Sequence, residues 1–344
     1  MISVVMPVFN GEKYLGEAIE SILGQTFQDF EFLIITDPSK DRSLEICEDY
    51  AKKDSRIRII PNRFSKNISG ALNTGFEEAK GEFIARMDCD DISFQSRFEK
   101  QLKVFSDNPS VGVCATNGFN IDENGKPQSA PWWINDALPV KWRLMFETAL
   151  AHPTVMFRCA LIRSQKVKYA DPPAEDFELW TRLAPLTEMV RTVEPLFYYR
   201  LTTGSLFQST LSDSNTRSAD FARELAEYYF ERKLPDIFLA ITNFGFNSND
   251  KFTSEEWVDL FLLSKQFSEK ISNKLGCESL SQALKSDFEF RVLRAAFNQL
   301  SFFEFVKSFN NNLISNPGLE LVFEQLKIKR RIVRLKSIIG VGDL

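Results

Sequence analysis

Four short apolar runs, Ile2 to Met6, Phe32 to Ile35, Ile57 to Ile60 and Phe83 to Met87, divide the first part of the chain. Between them apolar residues return every three or four positions. Leu15, Ala18, Ile19, Ile22 and Leu23 form one set, Leu44, Cys47 and Ala51 a second, and Ile68, Ala71, Leu72, Gly75, Phe76 and Ala79 a third. Runs that short and that apolar suit strands covered on both faces, and the spacing between them suits one-faced helices. The βαβαβαβ rhythm predicts an α/β fold: Rossmann-like, with a mostly parallel central sheet and helices on both faces. Asn10 is placed to cap the first helix and Gly24 to close it. In such sheets ligands bind beyond the carboxyl ends of the strands. Three loops therefore matter: residues 7–12, 36–41 and 88–91.

Further on the pattern is less regular. Val111 to Phe119 reads as a strand, Asp122-Glu123-Asn124-Gly125 as a turn, 152–158 as a strand, 175–184 as a helix and 190–201 as extended. Beyond about residue 212 the pattern is helical and poor in Gly and Pro. A catalytic domain over 1–210 and a mainly helical C-terminal region over 211–344 are expected. Phe288, Phe290, Phe297, Phe302, Phe303 and Phe305 read as packing stripes. Near the end Ile328, Ile332, Leu335 and Ile339 share a helical face amid Lys327, Lys329, Arg330, Arg331, Arg334 and Lys336. A basic amphipathic helix can lie on an anionic leaflet, so 319–344 is a candidate for peripheral membrane contact. The alternative is a soluble helix packed on its own domain.

Composition narrows the functional classes. With 344 residues, 44% hydrophobic and 26% charged, the chain is an ordinary globular protein. Its net charge of −5 argues against nucleic acid as partner. The opening MISVVMPVFN lacks the features of a signal peptide, and no apolar run is long enough to span a bilayer. Cys47, Cys89, Cys114, Cys159 and Cys277 are scattered without a CxxC, which predicts reduced thiols and a cytoplasmic protein.

The acids carry the chemistry. Asp88-Cys89-Asp90-Asp91 follows directly on an apolar strand. Three carboxylates in four residues repel one another unless a cation sits among them. A hard divalent ion such as Mn²⁺ or Mg²⁺ takes oxygen ligands and keeps positions open for substrate phosphates. The alternative is a solvated acidic loop in which Asp91 or Ser93 caps the next helix. Asp37, ending the second run, is either a turn residue or a partner for a nucleobase edge. Glu175-Asp176 opens a helical pattern containing Phe177, Leu179, Trp180 and Leu183. Acids suit a helix start for dipole reasons alone, but a positioned carboxylate is also what a sugar hydroxyl needs to lose its proton. His152, the one histidine, is a candidate metal ligand or phosphate contact, or a structural residue beside Pro153.

Taken together these pieces resemble the family 2 glycosyltransferases of the GT-A fold. SVVMPVFNGEKYLGEAIESILGQTFQDFEFLIITDPSKDRS is similar to that family's N-terminal signature, AKGEFIARMDCDD to its DxD strand and loop, and AEDFELWTRL to its catalytic-base motif. HPTVMFR resembles a segment that often precedes the base. The resemblance runs from residue 2 to about residue 205. It implies an inverting, metal-dependent transferase moving a sugar from a nucleotide-sugar donor, with UDP favoured, to a saccharide or lipid-linked saccharide in cell-surface polysaccharide or glycolipid assembly. Pro7, Val8 and Glu12 then line the nucleoside, Asp37 reads the base, and Asp88 and Cys89 lie by the donor. Asp90, with Asp88, holds the metal. Asp176 is the catalytic base, with Glu175 and Trp180 shaping the acceptor side.

The chain departs from the family pattern in two places. Thr36-Asp37-Pro38-Ser39 stands where Asp-Asp-Gly-Ser is common, and Leu72-Asn73 where Arg-Asn is common, leaving Arg63 or Lys66 as substitutes for the missing Arg. The Gln-x-x-Arg-Trp motif of processive enzymes is missing, which favours single transfer. A nucleotidyltransferase is the competing enzyme, but PVFNGEKY is a poor triphosphate cradle. An inactive transferase-like scaffold is the competing non-enzyme.

Overall fold

The computed structural model describes residues 1–132, 138–202, 206–244 and 251–300, with the side chains of 206–212, 264–269, 278, 297 and 298 left aside. Its contacts form two compact units, one of Met1–Leu144 with Thr148–Phe221, the other of Met145–Glu147 with the described residues from Ala222 onward.

The first unit is a sheet with the strand order β3-β2-β1-β4-β7-β6-β8-β5. Its strands are β1 (Ile2–Val8), β2 (Phe30–Thr36), β3 (Ile57–Pro61), β4 (Phe83–Arg86), β5 (Ile92–Ser93), β6 (Val111–Ile121), β7 (Met156–Arg158) and β8 (Glu188–Arg200). β1, β2, β3 and β4 pair in parallel, as do β6 and β8. β7 runs antiparallel to β4 and β6, and β5 to β8. The sheet is mixed, with its parallel part where the alternating pattern lies.

β1 is buried at every position, as a central strand covered on both faces must be. Pro7 fits inside it for a geometric reason. Met87 N–H donates to Val5 C=O and Asp37 N–H to Val8 C=O, so odd residues of β1 face β4 and even ones β2. Pro7 therefore faces β4 beyond the last β1–β4 pair, Val5 with Arg86, where no ladder bond needs its missing N–H.

Helices α1 (Leu15–Leu23), α2 (Ser43–Lys53), α3 (Ile68–Glu78) and α4 (Arg97–Asp107) connect the early strands. α1 buries Leu15, Ala18, Ile19 and Ile22, the set read from the sequence. α3 is capped by Asn67, whose Oδ1 accepts from Gly70 N–H at 2.8 Å. It packs so closely on β1 that a Cβ at Gly75 would collide with Val5. Two local expectations are corrected. Asn10 does not cap α1: Tyr14 holds that position, and Asn10, at φ 49, turns to another loop. The segment 152–158 is a 3-10 turn, His152–Thr154, before the short β7.

α5 (Val140–Arg143), α6 (Cys159–Ser164) and α7 (Glu175–Leu183) complete this unit with the first part of α8 (Leu206–Phe230). In the second unit α9 (Ser254–Lys274) starts at a capping box of Thr253 and Glu256 and packs on α10 (Ser281–Gln299). Phe146 lies 5.7 Å from Phe238 and 6.1 Å from Phe288, centroid to centroid, so Phe288 packs as expected. The side chains of Phe297, Phe302, Phe303 and Phe305, and the basic segment 319–344, fall outside the described residues. No helix among the described residues is long and apolar enough to cross a membrane.

Candidate active site

Because β1, β2 and β4 are parallel, their carboxyl ends open on one edge of the sheet, where the three loops singled out from the sequence meet. The first two are laced together. Asn10 N–H donates to Ser39 Oγ, and Lys40 N–H to Asn10 Oδ1. Gly11 N–H donates to Ser43 Oγ and Glu12 N–H to Asp41 Oδ2, while Glu12 Oε2 accepts from Arg42 N–H. Glu12 is thus a loop clamp. Pro7 and Val8 are buried strand residues. Phe9, which the sequence reading passed over, is 58% exposed at the end of β1. Asp37 accepts from Asn62 Nδ2 through both carboxylate oxygens at 3.1 Å, and Asn62 Oδ1 accepts from Thr74 Oγ1. Asn62 also went unnoticed. Arg63 is engaged by Glu78 at 2.7 Å.

The acidic turn leaves β4 just past Arg86. That residue is 5% exposed and its Nη1 lies 2.5 Å from Asp88 Oδ2. Asp91 is buried. Its Oδ1 accepts from Arg200 N–H at 2.8 Å, and its Oδ2 has no hydrogen-bond partner. Neither Asp91 nor Ser93 caps a helix: Ser96 holds the position before α4 and Ser93 lies in β5. Arg200, brought alongside by the β5–β8 pairing, binds the turn again through Nε–H to Asp90 C=O at 2.8 Å and reaches Glu17 Oε2 at 2.5 Å. Cys89 sits beneath the first loop, with its Sγ 3.0 Å from where a Cβ on Gly11 would be.

α7 presents the second acidic pair. It begins at Glu175, after Ala174 in a left-handed conformation at φ 67. Asp176 Oδ1 accepts from Phe177 N–H at 2.7 Å, and its side chain is 27% exposed, open enough to meet a ligand. Trp180 is fully buried against Phe157 and His152, so it supports α7 from below and offers no acceptor-facing surface.

Electrostatics joins the two acidic groups. Burial raises Asp90 to about 6, with the Asp88 charge adding to the effect. Burial also raises Glu175, to about 7, with Asp176 adding to it. Asp91 and Asp176 are raised for the same first reason. Arg86 opposes all four shifts, and its own guanidinium is held above its usual range by Asp88 despite burial. The Asp88 charge in turn reaches both Glu175 and Asp176. Both acidic groups thus lie within the field of one buried cation, Arg86, that the sequence reading missed. The signal was available: an arginine inside an apolar strand, two residues before the acids.

The donor set suits a hard divalent ion. Ligand oxygens of Asp88, Asp90 and Asp91 lie within 4.8 Å of one another, and the buried Asp91 Oδ2 is unpartnered. His152 does not join this group. Its Nε2 is hydrogen-bonded to Tyr169 and its Nδ1 faces Asp176.

A sheet of this order, with an acidic turn at the carboxyl end of β4, is the GT-A architecture, and the chain matches solved glycosyltransferases along most of its length. The crystal structure of S. aureus TarS 1-349 in complex with UDP-GlcNAc superposes with a TM-score of 0.52 at 17% identity, covering 87% of this chain and 91% of that one. The mannosyltransferase PcManGT from Pyrobaculum calidifontis, solved with GDP-Man and Mn²⁺, gives 0.50 at 13% identity, covering 99% and 88%. The model of glycosyl transferase family 2 matches residues 3–169. The O-antigen biosynthesis glycosyltransferase WbnJ of Escherichia coli is 34% identical over 223 residues, 62% of this chain and 84% of WbnJ. An uncharacterized glycosyltransferase of Methanocaldococcus jannaschii is 33% identical over 53% of this chain, which spans 64% of that relative's length. The chain belongs to glycosyltransferase family 2.

Removing Arg86 leaves Asp88 without its buried partner and weakens the counter-charge facing the other acids. Breaking a buried pair from one side costs about 3–5 kcal/mol. Urea denaturation should therefore show Arg86→Met losing roughly 3 kcal/mol and Arg86→Lys distinctly less. Equal stability of the wild type and Arg86→Met would remove Arg86 from the centre of the site.

Proposed function

We propose that this protein transfers a sugar from a nucleoside-diphosphate sugar to an acceptor hydroxyl, inverting the anomeric configuration. The observation that carries this reading is the half-open Asp176 carboxylate sharing the Arg86 field with the Asp88–Asp91 turn. Asp37 and Asn62 suit recognition of a nucleobase edge, and exposed Phe9 offers a stacking face beside them. Asp90, Asp88 and Asp91 would hold Mn²⁺ or Mg²⁺, which would supply positive charge to the leaving diphosphate. Asp176 takes the proton of the acceptor hydroxyl as that oxygen attacks the anomeric carbon opposite the leaving group. Glu175, beside it on α7, is itself raised by burial and by the Asp176 charge. Since the loops at the carboxyl ends of β1 and β2 are tied by hydrogen bonds, positioning supplies a large share of the rate.

The donor is proposed to be a UDP-sugar, in keeping with the UDP-GlcNAc in the TarS structure. The acceptor is proposed to be a saccharide, free or lipid-linked, of a surface polysaccharide, in keeping with the O-antigen role named for WbnJ.

Two measurements follow from this assignment. Asp176→Asn removes the base and leaves the donor site intact. Turnover should fall by roughly 10²–10⁴ while the affinity for donor with Mn²⁺ changes by less than about threefold. Unimpaired turnover would discard Asp176 as the base. The pH profile offers a second check. The base must be ionised, and burial raises Asp176 above its usual range. The rate should therefore fall on its acid side at a pH clearly above the ordinary carboxylate range of about 4. An acid limb near 4 would contradict this electrostatic account.

A further inference from the structure

His152 stands directly behind Asp176. It lies in the 3-10 turn His152–Thr154, and three hydrogen bonds hold that turn. Thr116 N–H donates to Thr154 Oγ1 at 3.1 Å, Gln101 Nε2 to Thr154 C=O at 2.9 Å, and Arg86 N–H to Val155 C=O at 2.9 Å. The ring is buried between Tyr169, at 5.3 Å, and the edge-on indole of Trp180, at 5.7 Å. His152 Nε2 is 2.9 Å from the Tyr169 hydroxyl, and His152 Nδ1 is 4.0 Å from Asp176 Oδ2. Tyr169 is held in turn by Asn73 of α3. Its N–H donates to Asn73 Oδ1 at 2.8 Å, and Asn73 Nδ2 donates to its C=O at 3.0 Å. A chain of contacts thus runs from α3 through Tyr169 and His152 to the carboxylate at the start of α7.

The protons on this chain are constrained. Burial, with Arg86 nearby, pushes His152 well below its usual range, so the imidazole is neutral. Burial pushes the Tyr169 phenol up, so it keeps its proton. A neutral imidazole has one N–H. With that proton on Nε2, the Nδ1 lone pair would point at a carboxylate, which is repulsive. With it on Nδ1, Tyr169 donates to Nε2 and an N–H faces Asp176, so both contacts are satisfied.

We propose that Tyr169 fixes His152 as the Nδ1–H tautomer and that His152 is a positioning residue that orients Asp176. This deepens the reading of Asp176 as base and rests on it. The carboxylate is then held from two sides, by Phe177 N–H on Oδ1 and by His152 on Oδ2. The 4.0 Å gap closes when an acceptor hydroxyl seats against Asp176, as catalytic contacts tighten on ligand binding. The titratable and charged groups facing this pair are Arg86 of β4, Asp88 of the acidic turn, Glu175 of α7 and Tyr169. The role also explains how the single histidine, beside Asp176, serves the site without ligating a metal.

His152 is the chain's single histidine, so labelling with nitrogen-15 histidine gives one imidazole in the full-length protein. The spectrum should show a neutral ring protonated at Nδ1 across about pH 5.5 to 8, in contrast to free histidine, which favours Nε2–H. Asp176→Asn should shift the Nδ1 resonance, and Tyr169→Phe should move the ring toward the Nε2–H form. An Nε2–H tautomer or an imidazolium in the wild type would overturn the proposal, and this reading needs no variant to fold and no substrate. Kinetics follow as nucleoside diphosphate released from UDP-sugars and GDP-sugars with Mn²⁺. Tyr169→Phe should lower kcat roughly tenfold to a hundredfold with donor KM unchanged. An unchanged kcat, or kcat and KM altered together, would reduce Tyr169 and His152 to packing. Normal turnover in Asp176→Asn would instead strike the base assignment and leave the tautomer result standing.

Discussion

One buried guanidinium, that of Arg86, faces five carboxylates: Asp88 in direct contact, and Asp90, Asp91, Glu175 and Asp176 within its field. Like charges about 4 Å apart repel by roughly 4 kcal/mol at an effective dielectric of about 20. Exposed ion pairs, worth about 0–1 kcal/mol each, cannot offset several such repulsions. A cation placed inside the sheet can, because there its field is weakly screened. Arg86 is fixed by more than its charge. Its N–H joins Val155 and its C=O accepts from Arg97 Nη2, so the backbone carrying the guanidinium is tied to two neighbouring segments. The Asp88–Asp91 turn thus hangs from a strand end tied into the sheet.

Arg200 completes the arrangement from the other side. It reaches the acidic turn by two bonds and Glu17 of α1 by a third, so β8, the turn and α1 hold a common geometry. With the lacing between the first two loops, the ligand edge is preorganised before any ligand arrives. The residual negative charge of the turn is what a divalent ion would neutralise.

Much of this was legible in the sequence. The helical spacing of Leu15, Ala18, Ile19 and Ile22 and the apolar runs of β1 to β4 predict the parallel half of the sheet because burial sets their periodicity. Asp88, Asp90 and Asp176 became candidates because AKGEFIARMDCDD and AEDFELWTRL resemble motifs of the family. Other features depend on contacts between distant residues. The antiparallel insertion of β7 between β4 and β6 is set by a three-residue strand too short to show a period. Asn10 looked like a helix cap because caps and loop clamps use the same side chain, and only the fold decides between them. Trp180, expected to shape the acceptor side, is instead a fully buried residue of α7. His152 suggested a metal ligand by residue type, whereas its partners, Tyr169 and Asp176, lie 17 and 24 residues on.

The most direct test of the central claim is a crystal structure of the D176N variant with Mn²⁺ and an intact UDP-sugar. The account predicts the diphosphate against the 88–91 turn and the anomeric carbon facing the side chain at position 176, with open space between them for an acceptor oxygen. A sugar bound with its anomeric carbon turned away from position 176, or a diphosphate seated elsewhere than at the acidic turn, would contradict it.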